Sequence, residues 1–156
     1  MPSKFARIEV RPGTLADIAA LLDIEERSFL TDRLSRRAFR HLLTRAHADC
    51  VVAAAGGRVL GYAALFYRRP AKVARLHSLA VDRAARGRGV GAKLLSAVEH
   101  AARNRGVAIL RLAVRPDNQG AIALYRSHGY TELGTEFAYY SDGMSALNME
   151  KVVAVA

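Results

Sequence analysis

Three glycines fall within five residues at Gly87, Gly89 and Gly91, in the stretch Asp82-Arg83-Ala84-Ala85-Arg86-Gly87-Arg88-Gly89-Val90-Gly91-Ala92-Lys93, and both flanks of that stretch are patterned. Before it, residues 72–81 form a strand-like run in which Val73, Arg75, His77, Leu79 and Val81 are expected to share one face. After it, residues 92–105 place Leu94, Leu95, Val98 and Ala101 at helical spacing, and Gly106 is set to end the helix. A strand must therefore give way to a helix across a backbone that is free to take positive φ. Such a curl lets successive N–H groups converge, and the new helix adds its own unpaired N–H groups and the positive end of its dipole. The turn is suited to phosphate or pyrophosphate, and Arg86, Arg88 and Lys93 supply charge of the right sign. A plain flexible surface turn is the alternative, but such turns seldom join a buried strand directly to a strongly amphipathic helix.

Two familiar phosphate loops are disfavoured by context. Gly87-Arg88-Gly89-Val90-Gly91-Ala92 fits the dinucleotide pattern GxGxxG/A, but that pattern follows a first strand and requires an acid at the end of the next, where this chain has Leu112-Ala113-Val114. The GxxxxGK[ST] arrangement of nucleoside triphosphatases is missing as well. Another phosphate-bearing cofactor is implied.

Around this loop the chain reads as mixed α/β. Residues 5–10 are a first strand, closed by Pro12-Gly13, and Thr14 to Asp17 has the spacing of a capping box opening a helix with Leu15, Ile18, Leu22 and Phe29 inward and Asp23, Glu25, Glu26 and Arg27 largely on the other side. Ser35 is placed to cap a second helix with Phe39, Leu42, Leu43 and Ala46 inward and Arg36, Arg37, Arg40 and Arg45 outward. Residues 50–55 and 58–67 form a hairpin across Gly56-Gly57, and Pro70 interrupts the pattern before the strand at 72–81. A short buried strand follows at 109–114, then a helix at 121–126 ending near Gly129, and a final hairpin of 131–140 and 144–152 around Ser141-Asp142-Gly143. The order is βαα, three strands, α, β, α and a β-hairpin, which is not the regular alternation of a doubly wound fold.

Composition narrows the setting. A chain of 156 residues suffices for a single core, so one domain spanning 1–156 is expected. The lone Cys50 excludes a disulfide framework and points to a reducing, cytoplasmic compartment. Neither a signal-peptide core nor a run approaching the ~18 apolar residues of a membrane span is present. Lys and Arg number 24 against 14 Asp and Glu, a net charge of +10, so an anionic partner is expected. His41, His47, His100 and His128 lack metal-ligand spacing, and no metal is expected. A nucleic-acid-binding module would account for the basic second helix, but no helix-turn-helix, zinc or aromatic RNA-binding motif accompanies it, which disfavours that reading.

Arg86-x-x-Gly89-x-Gly91-Ala92 after Leu79-Ala80-Val81 resembles the acetyl-CoA signature (Q/R-x-x-G-x-G/A) of the GNAT superfamily of N-acetyltransferases. The resemblance continues through Asn118-x-x-Ala121-x-x-Leu124-Tyr125-x-x-x-Gly129-Tyr130, and the element order from residue 7 to about 152 agrees. It implies a mostly antiparallel sheet flanked by helices, with the fourth and fifth strands splayed around the thioester. The backbone of Leu79, Ala80 and Val81 would pair with the pantetheine arm, Gly87 to Ala92 would wrap the pyrophosphate, and Asn118 would touch the cofactor. The chain is most similar to the ribosomal-protein-alanine (RimI-like) branch, which favours a protein or peptide N-terminus as acceptor. Acetylation of a small amine, such as a polyamine, an arylalkylamine or an aminoglycoside, is the alternative. The resemblance leaves open whether the protein is a monomer or a homodimer.

Acetyl transfer requires a neutral amine and a proton for the departing thiolate. Tyr125 matches the tyrosine that many family members use as general acid. The RimI-like branch places an acidic base on the fifth strand at the position of Ala113, and alanine cannot serve there. His77 on the fourth strand is the available substitute, matching a histidine of the arylalkylamine acetyltransferases, and an imidazole near pKa ~6.5 suits the task. Glu25, with Glu26 and Asp32, borders the acceptor side in this family and could bind an ammonium; a solvated helix face is the plainer expectation. Tyr139 and Tyr140 resemble the tyrosines with which the last hairpin of N-terminal acetyltransferases contacts the peptide. The alternative for that pair is ordinary strand alternation, one ring packed and one exposed.

Overall fold

The computed structural model describes residues 7–45, 47–68 and 72–154. Seven strands form one sheet: β1 (Glu9–Pro12), β2 (Ala48–Ala55), β3 (Arg58–Tyr67), β4 (Val73–Val81), β5 (Ile109–Val114), β6 (Thr131–Glu136) and β7 (Ala146–Val152). Their spatial order is β1-β2-β3-β4-β5-β7-β6. Every neighbouring pair is antiparallel except β4 and β5, which run parallel. Helices α1 (Ile18–Ser28) and α2 (Arg36–Thr44) cover one face, and α3 (Val90–Asn104) and α4 (Gln119–Ser127) the other. This is the mixed α/β fold that the motif order implied.

Strand β3 shows why both faces are covered. Ala63 and Leu65 point into a core built with Leu94, Leu95 and Val98 of α3, whereas Tyr62 and Ala64 point into a second core with Ile18, Leu21 and Ile24 of α1 and Phe39 and Leu42 of α2. A strand buried on both sides reads as an almost unbroken apolar run, as 59–66 does.

Local signals largely hold. Thr14 donates its backbone N–H (2.8 Å) and its hydroxyl (3.2 Å) to the Asp17 carboxylate, a short 3-10 turn at Leu15–Asp17 precedes α1, and Ser35 accepts from Ala38 N at 3.1 Å to cap α2. Gly56 and Gly57 take φ of 57° and 77° in the hairpin turn, and Gly106 ends α3 at φ 76°. The cap positions explain two shifts: α3 begins at Val90 because Gly89 is its N-cap, and α4 begins at Gln119 because Asn118 accepts from Ala121 N at 3.2 Å.

Several expectations are corrected. The first strand is Glu9–Pro12, running later than 5–10 because its register is fixed by pairing Glu9 with Ala54 and Pro12 with Val51; Phe5 and Ala6 lie outside the described residues, as do Ala46 and Pro70. Leu15 is exposed because the 3-10 turn carries it off the inward stripe, whereas Phe29 does pack against the core, from the C-cap position just past α1. Glu25, expected on a solvated face, is 2% exposed. The final hairpin is shorter than 131–140 paired with 144–152: β6 ends at Glu136 because Ala138 adopts a left-handed φ of 51° and turns the chain out of the ladder.

The face expected of β4 is also broken. Leu76 pairs with Leu65 and Ser78 with Ala64, leaving His77 as the extra residue of a bulge. Leu79 and Val81 consequently pack toward α3 and α4, whereas His77 lies against Phe66 and Ser78 meets Tyr62, both on the α1 and α2 side.

Candidate active site

Strands β4 and β5 are paired only from Val73 with Ile109 to Leu76 with Leu112. Beyond that point Ser78 to Val81 keep β3 on one edge and Ala113 and Val114 keep β7, but the two strands no longer bond each other. A cavity of about 740 Å³ opens at the parting, between the loop that joins α1 to α2 and the loop that joins β6 to β7. It brings together Glu25, His77, Leu79, Arg86, Asn118, Tyr125, Tyr139 and Tyr140, residues spread over most of the chain.

The remaining loop residues stand beside the cavity. Gly87 and Gly89 take φ of 78° and 74°, and a Cβ on either would meet nothing within 4 Å, so glycine is needed there for conformation and not for room. Gly91 has the opposite reason: a Cβ would lie 3.0 Å from Leu124 Cδ2, so its bareness lets α3 approach α4. Helix α3 starts without a side-chain cap, leaving the N–H groups of Val90, Gly91 and Ala92 at a helix N-terminus. The Val90 and Ala80 side chains are buried in the two cores, so only their backbones can serve a ligand. Asp82 anchors the base of the loop by accepting from Arg27 and Arg58, each at 3.1 Å. Arg86 reaches the cavity, while Arg88 stands between Gly87 and Gly89.

Tyr125 is 5% exposed, and its ring lies 5.7 Å from that of Tyr130. Among the described residues its hydroxyl makes no hydrogen bond, yet no buried side-chain oxygen lacks a partner, so this hydroxyl faces the open cavity. Burial, with Tyr140 nearby, pushes its pKa up and keeps the phenol protonated. His77 reaches solvent but is packed edge-on against Phe66 at 5.3 Å; desolvation and then the Arg75 charge pull its pKa below 6.5, so the imidazole is neutral at pH 7.

Tyr139 and Tyr140 follow neither alternative of a regular strand. Both are half-buried in the loop, stacked edge-to-face at 4.8 Å, with Arg75 5.5 Å from the first ring and Arg115 5.1 Å from the second. Asp32, at a left-handed φ of 57°, joins the two loops by accepting from Ser141 N at 3.2 Å and Ser141 Oγ at 3.0 Å. Glu25 lies under the same cavity, accepting from Leu34 N at 2.7 Å and from the Tyr62 hydroxyl. Tyr62 and Ser78 escaped sequence reasoning. The available signal was a tyrosine inside an otherwise apolar strand, whose hydroxyl must find a buried partner.

An open β4 edge, a glycine-rich helix start and a tyrosine on the following helix now stand around one gap. The family model for the acetyltransferase (GNAT) family matches residues 16–130. The chain belongs to the GNAT family of N-acetyltransferases. Over 142 residues it is 34% identical to the N-alpha-acetyltransferase RimI of Mycobacterium tuberculosis, with 88% of each chain covered. It superposes on the crystal structure of the ribosomal-protein-S18-alanine N-acetyltransferase of Escherichia coli with a TM-score of 0.84, 27% identity and 96% of each chain covered. Ard1 from Thermoplasma volcanium gives a TM-score of 0.86 at 26% identity, covering 96% of this chain and 99% of that one. Like these relatives, this member is a transferase. Among its described residues no helix is long and apolar enough to cross a membrane, and no three His, Cys, Asp or Glu side chains group as a metal site.

Proposed function

We propose that the protein transfers the acetyl group of acetyl-CoA to the α-amino group of a polypeptide N-terminus, by direct attack within a ternary complex. The observation that carries the donor side is the unpaired edge of β4, from His77 to Val81, running toward the bare N-terminus of α3. An extended amide-bearing arm can bond to Leu79, Ala80 and Val81 as a strand would. Its pyrophosphate then meets the N–H groups from Gly87 to Ala92, with Arg86 and Arg88 alongside. Asn118 spends its side-chain oxygen on the α4 cap, which leaves its amide N–H₂ for the ligand.

The chemistry follows from the two walls of the gap. The amine nitrogen attacks the thioester carbonyl, the carbon–sulfur bond breaks, the nitrogen gives up protons and the sulfur takes one. Tyr125, protonated and facing the cavity, donates to the sulfur; neutral His77 accepts from the nitrogen. Backbone N–H groups of the open β4 edge can steady the developing oxyanion.

An N-terminal acceptor is supported by the M. tuberculosis and E. coli relatives and by a cleft roofed by Tyr139 and Tyr140, whose flat rings suit an unstructured chain end. The surroundings of that N-terminus are acidic. Beside the loop that borders the cleft, α2 turns Arg36, Arg37 and Arg40 to solvent, and none forms an ion pair with a described residue. Thiol release from acetyl-CoA should be measured with unblocked N-terminal peptides, lysine peptides and small amines, and acetyl-CoA alone should raise the melting temperature. Absence of that stabilisation would remove the donor assignment, and turnover of small amines alone would remove the acceptor.

A further inference from the structure

We infer that Ser78 is the group that receives the acceptor's amine N–H, its hydroxyl oriented for that task by a buried chain running through Tyr62 to Glu25. The inference rests on the proposed amine acetylation and assigns it an acceptor-positioning residue.

With Glu25 ionised, the direction of the chain follows from counting protons. Glu25 sits beneath the cavity with both carboxylate oxygens engaged, one by Leu34 N and the other by the Tyr62 hydroxyl. An ionised carboxylate can only accept, so Tyr62 must spend its single proton on Glu25. The Tyr62 oxygen also lies 2.8 Å from Ser78 Oγ, and with its own proton committed it can only accept there. Ser78, which lines the cavity, therefore spends its proton inward on Tyr62, and its Oγ has lone pairs alone left for a ligand. Burial pushes the Glu25 pKa above the usual carboxylate range, and the Leu34 N–H, the Tyr62 hydroxyl and the Arg33 charge oppose it; the geometry, with a donor on each oxygen, is that of the ionised carboxylate.

A serine hydroxyl ordinarily rotates to suit either a donor or an acceptor. Here it is locked as an acceptor, complementary to an amine or ammonium and not to a carbonyl. The bulge at His77 gives the arrangement its purpose: in a regular strand, consecutive residues face opposite ways, whereas here Ser78 and His77 both serve the α1 side of the cleft. Recognition and proton acceptance are thus adjacent.

The test compares Ser78→Ala, Ser78→Thr and Tyr62→Phe with the wild type at saturating acetyl-CoA. The acceptor is a short peptide with a free N-terminal alanine, or whichever amine of the panel the wild type turns over fastest. Ser78→Ala should raise the acceptor KM about 10- to 100-fold, the loss expected for one hydrogen bond to a charged group, with a smaller change in kcat. Tyr62→Phe frees the Ser78 proton and should move KM in the same direction by less, whereas Ser78→Thr, which retains a hydroxyl, should restore most of the affinity. The melting-temperature shift produced by acetyl-CoA should be the same in all four proteins. An acceptor KM within twofold of wild type in Ser78→Ala would overturn the inference, as would equal losses in Ser78→Thr and Ser78→Ala, even if Tyr62→Phe did not fold. Failure of the wild type to acetylate any amine would instead refute the function on which the inference rests.

Discussion

Gly89 and Gly91 are bare for different reasons, and that difference yields a test of how the loop binds its ligand. Gly89 caps α3 in the left-handed region at φ 74°, with open space where a Cβ would go. Gly89→Ala therefore adds no clash but carries the roughly 1–2 kcal/mol cost of a left-handed non-glycine residue. That cost must appear somewhere. If the surrounding structure holds the loop in place, the native state is destabilised and the melting temperature falls by about 2–4 °C per kcal/mol. If the free loop relaxes, the N–H groups of Val90, Gly91 and Ala92 lose their common aim, binding must restore it, and the acetyl-CoA Kd rises about 5- to 30-fold. Gly91→Ala is the control. Its φ is not left-handed and its Cβ would meet the tip of Leu124 at 3.0 Å, a flexible side chain able to move. Helix propensity offsets that contact by roughly 0.5–1 kcal/mol, so Kd should stay within about twofold. Titration calorimetry with acetyl-CoA and thermal melts of both variants measure the two shares. A Gly89→Ala protein with wild-type melting temperature and wild-type Kd would refute the claim that the left-handed cap matters.

Tyr125→Phe should lower kcat by about 100-fold or more in a thiol-release assay, while acetyl-CoA affinity and the melting temperature change little, because the deleted hydroxyl bonds to no described residue. In the wild type, kcat/KM should rise with pH through an inflection below 6.5 set by His77, and His77→Ala should remove that inflection. The same lowered pKa means the unfolded chain binds more protons between the folded value and 6.5, so stability should climb with pH across that window in melts of the wild type and stay flatter in His77→Ala. Arg11 holds Asp17 below 3.8 through paired bonds of 2.8 and 2.9 Å, so its stabilisation is complete above 3.8 and lost as pH falls through the depressed folded value. Because Arg11 is partly exposed, Asp17→Asn should be less stable than wild type by only about 1 kcal/mol above pH 3.8, and the two proteins should converge in acid melts.

What the chain discloses and what it conceals divide along physical lines. The glycine loop is local: positive φ at Gly87 and Gly89, the caps of α3 and α4 and the Gly56-Gly57 turn are written in neighbouring residues. The α1 side of the cleft is built from departures that only long-range pairing decides. A ladder slip between Ala64 and Leu65 creates the bulge at His77, and nothing in residues 72–81 announces it. Ala138 leaves the final hairpin early, because a left-handed alanine carries no composition signal, and so turns Tyr139 and Tyr140 from strand residues into a roof. Glu25 follows the helical pattern of a solvated face, yet a loop closing over it through Leu34 buries it.

The same departures bear on how the proposed reaction could run with Ala113 at the position where the resemblance to the RimI-like branch implies an acid. Among the described residues, Asp17, Glu25, Asp82 and Glu99 are the buried carboxylates, and Glu25 is the one that lines the cleft. It stands on the α1 side of the sheet, with His77 and Ser78, whereas Tyr125 belongs to the core on the α3 and α4 side. In a continuous sheet these two sets could not serve one reaction. The parting of β4 from β5 after Leu76 and Leu112 makes them the two walls of one gap. In the proposed reaction the nitrogen then surrenders its proton toward one face of the sheet while the sulfur receives one from the other. On that reading a thioester bound in the gap would lie between His77 on one wall and Tyr125 on the other, so each would act on its own side of the breaking carbon–sulfur bond.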